Sequence, residues 1–204
     1  MIVIIDYGMG NLGSVYKSFK RVHDDVIISS SKTDIESAEK LVLPGVGHFS
    51  NGMKRLKELD LIDLLQDRVI NNKTPILGIC LGMQLFSKFS YEGNVEGLCW
   101  FDAEVVRFNV KDKLRFKVPH MGWNSIQIEK ENILLDGILQ SELFYFVHTY
   151  HIKCFDNNDI LGNTNYSYDF TSIIQKDNIY GTQFHPEKSH GKGLKIIKNF
   201  VHKI

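Results

Sequence analysis

Apolar and polar residues alternate along this chain in two different registers, and the register changes near Gly97. Before that point, short apolar runs alternate with stretches of helical period. Ile2–Ile5 predicts a buried strand, followed by a helix over Leu12–Val22 with Asn11 as its N-cap. Val26–Ser29 reads as a second strand and Lys40–Leu43 as a third, ending at Pro44. Apolar residues at Met53, Leu56, Leu59, Ile62, Leu65 and Val69 predict one long helix over Gly52–Asn71. Thr74–Ile79 reads as the next strand and Leu81–Phe89 as a helix. Strands alternating with helices imply right-handed crossovers and a mainly parallel sheet with helices on both faces.

After Gly97 the runs shorten and take a period of two. Ala103–Asn109, Lys113–Val118, Asn124–Glu129, Leu143–His148, His151–Phe155, Ile160–Tyr166, Thr171–Gln175 and Ile179–Thr182 all read as β-type segments bounded by turn residues. They predict an antiparallel β extension packed on the parallel half, closed by a helix over about Gly191–Lys203. No repeat, low-complexity tract or Pro/Gly/Ser-rich linker interrupts the chain, so residues 1–204 read as a single α/β domain.

Composition narrows the classes. Lys+Arg and Asp+Glu are equal at 24 each, so no basic field points to nucleic acid or to a membrane surface. The three cysteines, Cys80, Cys99 and Cys154, are odd in number and lack Cys-x-x-Cys spacing, which argues against a disulfide framework and a zinc site. Met1 leads straight into Ile2-Val3-Ile4-Ile5 with no basic region or cleavage site, and no apolar run approaches a membrane span. The expected compartment is the cytosol, where a thiol stays reduced.

One of those thiols is placed for chemistry. Gly78-Ile79-Cys80-Leu81-Gly82 follows an apolar strand and precedes a helix, which puts Cys80 on a sharp corner facing helix N–H groups. A cysteine there is either a nucleophile or a buried structural residue. A nucleophile needs a base, and His185 is the foremost of eight histidines. It follows the strand Ile179–Thr182, precedes Pro186, and has Glu187 two positions on, where a carboxylate would fix the imidazole tautomer. His148 and His151 fit equally well as ordinary strand residues. Pro44-Gly45-Val46-Gly47 lies at the carboxyl end of a parallel strand, where ligands bind in open α/β sheets. Its backbone N–H groups, with that of Leu81, suit a developing oxyanion.

A competing motif is Gly8-Met9-Gly10-Asn11-Leu12-Gly13, which satisfies the dinucleotide pattern G-x-G-x-x-G. Against it, the second strand ends in Ser29-Ser30-Ser31 and not in the acidic residue that would hold a ribose.

Gly-Ile-Cys-Leu-Gly-Met-Gln at 78–84, Pro-Gly-Val-Gly at 44–47 and Gln-Phe-His-Pro-Glu-Lys-Ser at 183–189 resemble class I (triad-type) glutamine amidotransferases, whose fold is flavodoxin-like. Residues 6–11, 119–124 and 145–150 narrow the likeness to the glutaminase subunits of imidazole glycerol phosphate synthases. The resemblance implies a nucleophile at Cys80, a general acid/base at His185 and an orienting carboxylate at Glu187. It implies oxyanion donors at Val46, Gly47 and Leu81, and glutamine contacts at Gly45, Gln84, Glu92, Thr149 and Tyr150. It also implies a docking face of Asn11, Pro119, Met121, Trp123, Tyr145 and Lys188 for a (β/α)₈ cyclase. Ammonia would pass through that barrel to a phosphoribosyl-formimino-aminoimidazole-carboxamide, with no cofactor and no metal. A paralogous subunit feeding a surface-polysaccharide amidotransferase shares these motifs. Phe108–Lys117 and Tyr166–Gln175 depart from the family pattern.

Overall fold

In the computed structural model, which describes residues 1–204, the first half of the chain builds the centre of one large sheet. Strands β1 (Ile2–Ile5), β2 (Val26–Ser29), β3 (Lys40–Gly45) and β4 (Ile76–Cys80) are parallel. β1 and β4 are buried throughout, as an apolar run with helices on both faces requires. Helices α1 (Leu12–Lys20), α2 (Lys32–Ser37), α3 (Phe49–Glu58) and α4 (Ile62–Gln66) make the crossovers. Asn11 caps α1 by accepting the Ser14 N–H at 3.2 Å.

Three expectations need correction. The long helix over Gly52–Asn71 is broken: Asp60 takes φ +50°, which ends α3, and α4 then runs into a π-helical turn at Asp67–Asn71. The helix expected over Leu81–Phe89 is only the single turn α5 (Leu81–Gln84). The amides of Leu98, Trp100 and Phe101 bind the carbonyls of Leu85 and Phe86, and the chain continues as strand β5 (Ser87–Ser90). Tertiary pairing here overrides local helical period. Lys113–Val118 is no strand, because the Asp112 carboxylate gathers the Leu114 and Arg115 amides into a turn.

The second half adds β6 (Val95–Glu96), β7 (Phe101–Arg107), β8 (His120–Ser125), β9 (Gln127–Ile128), β10 (Leu143–His148), β11 (Tyr150–Cys154), β12 (Ile160–Tyr166), β13 (Tyr168–Lys176) and β14 (Ile179–Thr182). The large sheet has the order β2-β1-β3-β4-β14-β13-β12-β9. Its first five strands follow the flavodoxin-like order, and β13, β12 and β9 extend the same sheet antiparallel. The extension is thus partly continuous with the parallel half. Strands β11-β7-β5-β6 form a second sheet and β10-β8 a ribbon. Helix α6 (His190–Lys203) closes the chain, and no helix is long and apolar enough to cross a membrane.

Two apolar clusters occupy the two faces of the large sheet, one under α1 and α6 and the other under α3 and α4. Between them, α5 presses its backbone on β3: a Cβ added to Gly82 would stand 1.7 Å from the Leu43 carbonyl oxygen. Gly82→Ala is therefore expected to lower stability by about 3 kcal/mol, read as a shifted urea midpoint. An unchanged midpoint would mean that this approach is not tight.

Candidate active site

The parallel strands deliver three segments to one end of the sheet. β3 brings Gly45 and the following Val46 and Gly47, β4 brings Cys80, and the chain after β14 brings His185 and Glu187. Cys80 sits at φ +54°, ψ −106°, a conformation that costs an L-residue about 1–3 kcal/mol. The strain of the elbow therefore rests on the cysteine itself. Neither flanking glycine has a positive φ. Both are required by contact instead: a Cβ on Gly78 would lie 2.5 Å from the Phe86 ring, and Gly82 abuts Leu43.

Cys80 is buried except where it meets a cleft of about 380 Å³. Val46, Gly47, Leu81, Gln84, Glu92, Pro119, Val147, His148, Thr149 and Tyr150 line the same cleft. Thus the expected oxyanion residues and glutamine contacts converge on the thiol from loops far apart in sequence. Gly45 lies behind the cleft wall, paired with Cys80 across β3 and β4. Glu92 is held by the Phe49 amide, 2.9 Å from its Oε2. Gln84 spends its side-chain NH₂ on the Tyr150 carbonyl and Gln183 Oε1, both at 2.9 Å.

The side chains of His185 and Glu187 are buried. The Glu187 Oε1 lies 2.8 Å from His185 Nδ1, which fixes that nitrogen as the N–H donor. His185 Nε2 is left with no protein partner. The backbone pins the ring in place: the His185 amide donates to the Tyr145 carbonyl, and Ser189 Oγ donates to the His185 carbonyl. Burial acts to lower the histidine pKa, but Cys80 and Glu187 outweigh it and push His185 up to about 10. Such a histidine stabilises the fold fully below its ordinary 6.5, and the contribution is lost as pH rises through about 10.

The other thiols have no such setting. Burial raises Cys99, and burial with nearby aspartates pushes Cys154 up to about 12.

The expected docking residues divide. Met121 is 65% and Trp123 45% exposed, on strand β8. Trp123 stacks on His190 at 5.0 Å and meets Tyr145 edge-on, and Lys188 Nζ lies over the Tyr145 ring at 5.7 Å. These residues form one amphipathic patch. Pro119 instead lines the cleft, and Asn11 caps α1, which touches the Glu187 turn through Ser18.

Sequence reasoning missed three contacts. Gln183 donates its side-chain NH₂ to Cys80 Sγ at 3.6 Å, and the Val147 carbonyl lies 4.0 Å from the same sulfur. His148, taken as an ordinary strand residue, lines the cleft. Gln183 was legible as part of the run into His185; no local signal marks the other two.

The glycine-rich segment after β1 is not arranged for a dinucleotide. Gly10 packs on the Gly45 backbone, and Asn11 occupies the Ser14 N–H that a pyrophosphate would need.

The glutamine amidotransferase class-I family profile matches residues 3–204. An imidazole glycerol phosphate synthase subunit HisH 2 of Methanococcus maripaludis is 50% identical, with 98% of each chain covered. A subunit HisH 1 of Campylobacter jejuni is 48% identical over 98% of this chain and 99% of its own. Among solved structures, a glutamine amidotransferase superposes with a TM-score of 0.76 at 17% identity, over 98% of this chain and 97% of that one. The chain belongs to the class-I glutamine amidotransferase family, in the branch of the imidazole glycerol phosphate synthase HisH subunits.

Proposed function

We propose that residues 1–204 form one cytosolic glutaminase domain that supplies ammonia to an imidazole glycerol phosphate synthase in histidine biosynthesis. The observation that carries this reading is a strained cysteine facing the cleft with a buried His–Glu pair beside it. Cys80 Sγ gives its proton to His185 Nε2 and attacks the side-chain amide carbonyl of glutamine. The Val46, Gly47 and Leu81 amides receive the oxyanion; one such donor is worth about 3–4 kcal/mol. His185 Nε2 hands its proton to the leaving nitrogen, ammonia departs, and a γ-glutamyl thioester remains. The imidazole then takes a proton from water, which attacks the thioester and releases glutamate. Glu187 steadies the imidazolium through both steps. Gln84, Glu92, Thr149 and Tyr150 hold the amino-acid end of glutamine.

The patch of Met121, Trp123, Tyr145 and Lys188, together with Pro119 at the cleft and Asn11 at the start of α1, is where a (β/α)₈ cyclase docks. Its apolar centre with a cationic neighbour suits a permanent partner. Closure by that partner carries the ammonia into the barrel and away from water.

Four outcomes follow. Cys80→Ala abolishes glutamate release and leaves cyclase binding intact, measured by coupled assay and calorimetry; parental turnover in this variant would overturn the mechanism. Glu187→Gln lowers kcat by about 10²–10⁴-fold. Loss of the Cys80 contribution also lowers the His185 pKa, so NMR titration of Cys80→Ala gives a value below that of the parent. Glutamine replaces free ammonia in imidazole glycerol phosphate formation when the chain is mixed with its cyclase, and the isolated chain turns over slowly; full activity without a partner contradicts the docking role.

A further inference from the structure

Two buried histidines outside the catalytic pair bridge the exposed patch and the cleft. His120 is the first residue of β8, the strand that carries Met121 and Trp123, and His148 is the last residue of β10, directly opposite it. His120 Nδ1 lies 3.0 Å from His148 Nε2. His148 Nδ1 lies 2.8 Å from the Tyr150 carbonyl, and Asn124 Nδ2 lies 3.2 Å from His120 Nε2.

Backbone groups fix the direction of this chain at both ends. The Tyr150 carbonyl can only accept, so His148 Nδ1 carries a proton and its Nε2 is a lone pair. His120 Nδ1 must then carry a proton, and its Nε2 accepts. Asn124 supplies that last donor, and its orientation is set by the Asn165 carbonyl at 2.9 Å from Nδ2 and the Ser125 amide at 2.8 Å from Oδ1. Every polar atom of both rings is satisfied, with both rings neutral. Burial accordingly pushes His120 down to about 4 and lowers His148 well below its ordinary value. The His120 ring lies between Tyr166 at 4.1 Å and Phe146 at 4.9 Å, each nearly parallel to it. It can neither tilt nor slide without opening this stack.

The far end of the chain is functional ground on the reading above. The Tyr150 carbonyl also accepts from Gln84, and Thr149 and Tyr150 form one edge of the cleft. We infer that His120 and His148 are positioning residues: they form a neutral, one-way hydrogen-bonded strut through which strand β8 sets the place of the glutamine-holding edge at Tyr150. Neither touches the reacting atoms. The strut rests on the glutaminase reading, and it adds a physical link from the docking patch to the substrate site.

The test uses the whole chain and two thiol reagents. A diazoketone analogue of glutamine enters through the glutamine contacts before it alkylates Cys80. Iodoacetamide alkylates the same thiol without them. His120→Phe keeps the ring stack and cuts the strut. It is expected to lower the second-order rate for the diazoketone about tenfold, to leave the iodoacetamide rate within error of the parent, and to lower the Tm by a few degrees because His148 Nε2 and the Asn124 N–H lose their buried partner. His120→Asn returns an amide donor to the Nδ1 position and restores the diazoketone rate to within threefold. Should His120→Phe not fold, His120→Gln makes the same cut, since its side chain has an atom at the Nε2 position and none at Nδ1. Equal diazoketone rates in parent and cut variants overturn the strut, as does a parallel fall in both reagents. If the parent itself neither reacts with the diazoketone nor hydrolyses glutamine, the glutaminase reading fails instead.

Discussion

Between Gly82 and the Leu43 carbonyl there is room for a hydrogen atom and nothing larger. That approach lets the single turn of α5 lie against β3, so that Leu81, Val46 and Gly47 face one cleft. The turn from β4 into α5 carries its backbone strain at Cys80, the one residue of the corner with a positive φ. Two sheet-covering cores and the β3–β4–β14 register hold the corner against its strain. The same register carries β14 to its end beside β4, which places His185 and Glu187 at the thiol. The strained Cys80 corner and the His185–Glu187 pair thus meet because β3, β4 and β14 end side by side in one register.

Apolar periodicity was enough to place the parallel strands, because a strand buried on both faces leaves an uninterrupted run. It failed where long-range pairing decided the outcome. Leu81–Phe89 has apolar residues at helical spacing, yet Leu85 and Phe86 offer their carbonyls to the distant amides of Leu98, Trp100 and Phe101. Nothing within the segment announces those partners. Asp60 was hidden for another reason: its positive φ interrupts an amphipathic pattern that continues on both sides. Within the site, Cys80, His185 and Glu187 were legible because each stands in a short motif with its own chemical logic. Val147 touches the thiol through its carbonyl, and a carbonyl has no sequence signature.

The two segments that depart from the family pattern turn out to be one feature. Tyr166 Oη donates to the Lys117 carbonyl at 2.7 Å, and Tyr168 Oη accepts the Asn109 amide at 3.3 Å. Tyr168 Oη also lies 3.0 Å from His151 Nε2. Tyrosines on the β12–β13 hairpin therefore hold the basic loop in place, and the Tyr166 ring braces His120. Changes that look unrelated along the chain are coupled through hydroxyl groups and a shared aromatic stack around Phe108.

The central claim is that one thiol, Cys80, carries the γ-glutamyl group during turnover. Acid-quenching the cyclase-bound chain while it consumes glutamine, followed by peptide mass mapping, tests it directly. The account predicts a glutamyl adduct on the peptide that holds Cys80, none on those holding Cys99 or Cys154, and loss of the adduct once glutamine is exhausted. Steady glutamate formation with no acylated Cys80 peptide, or with the label on another cysteine, would contradict it.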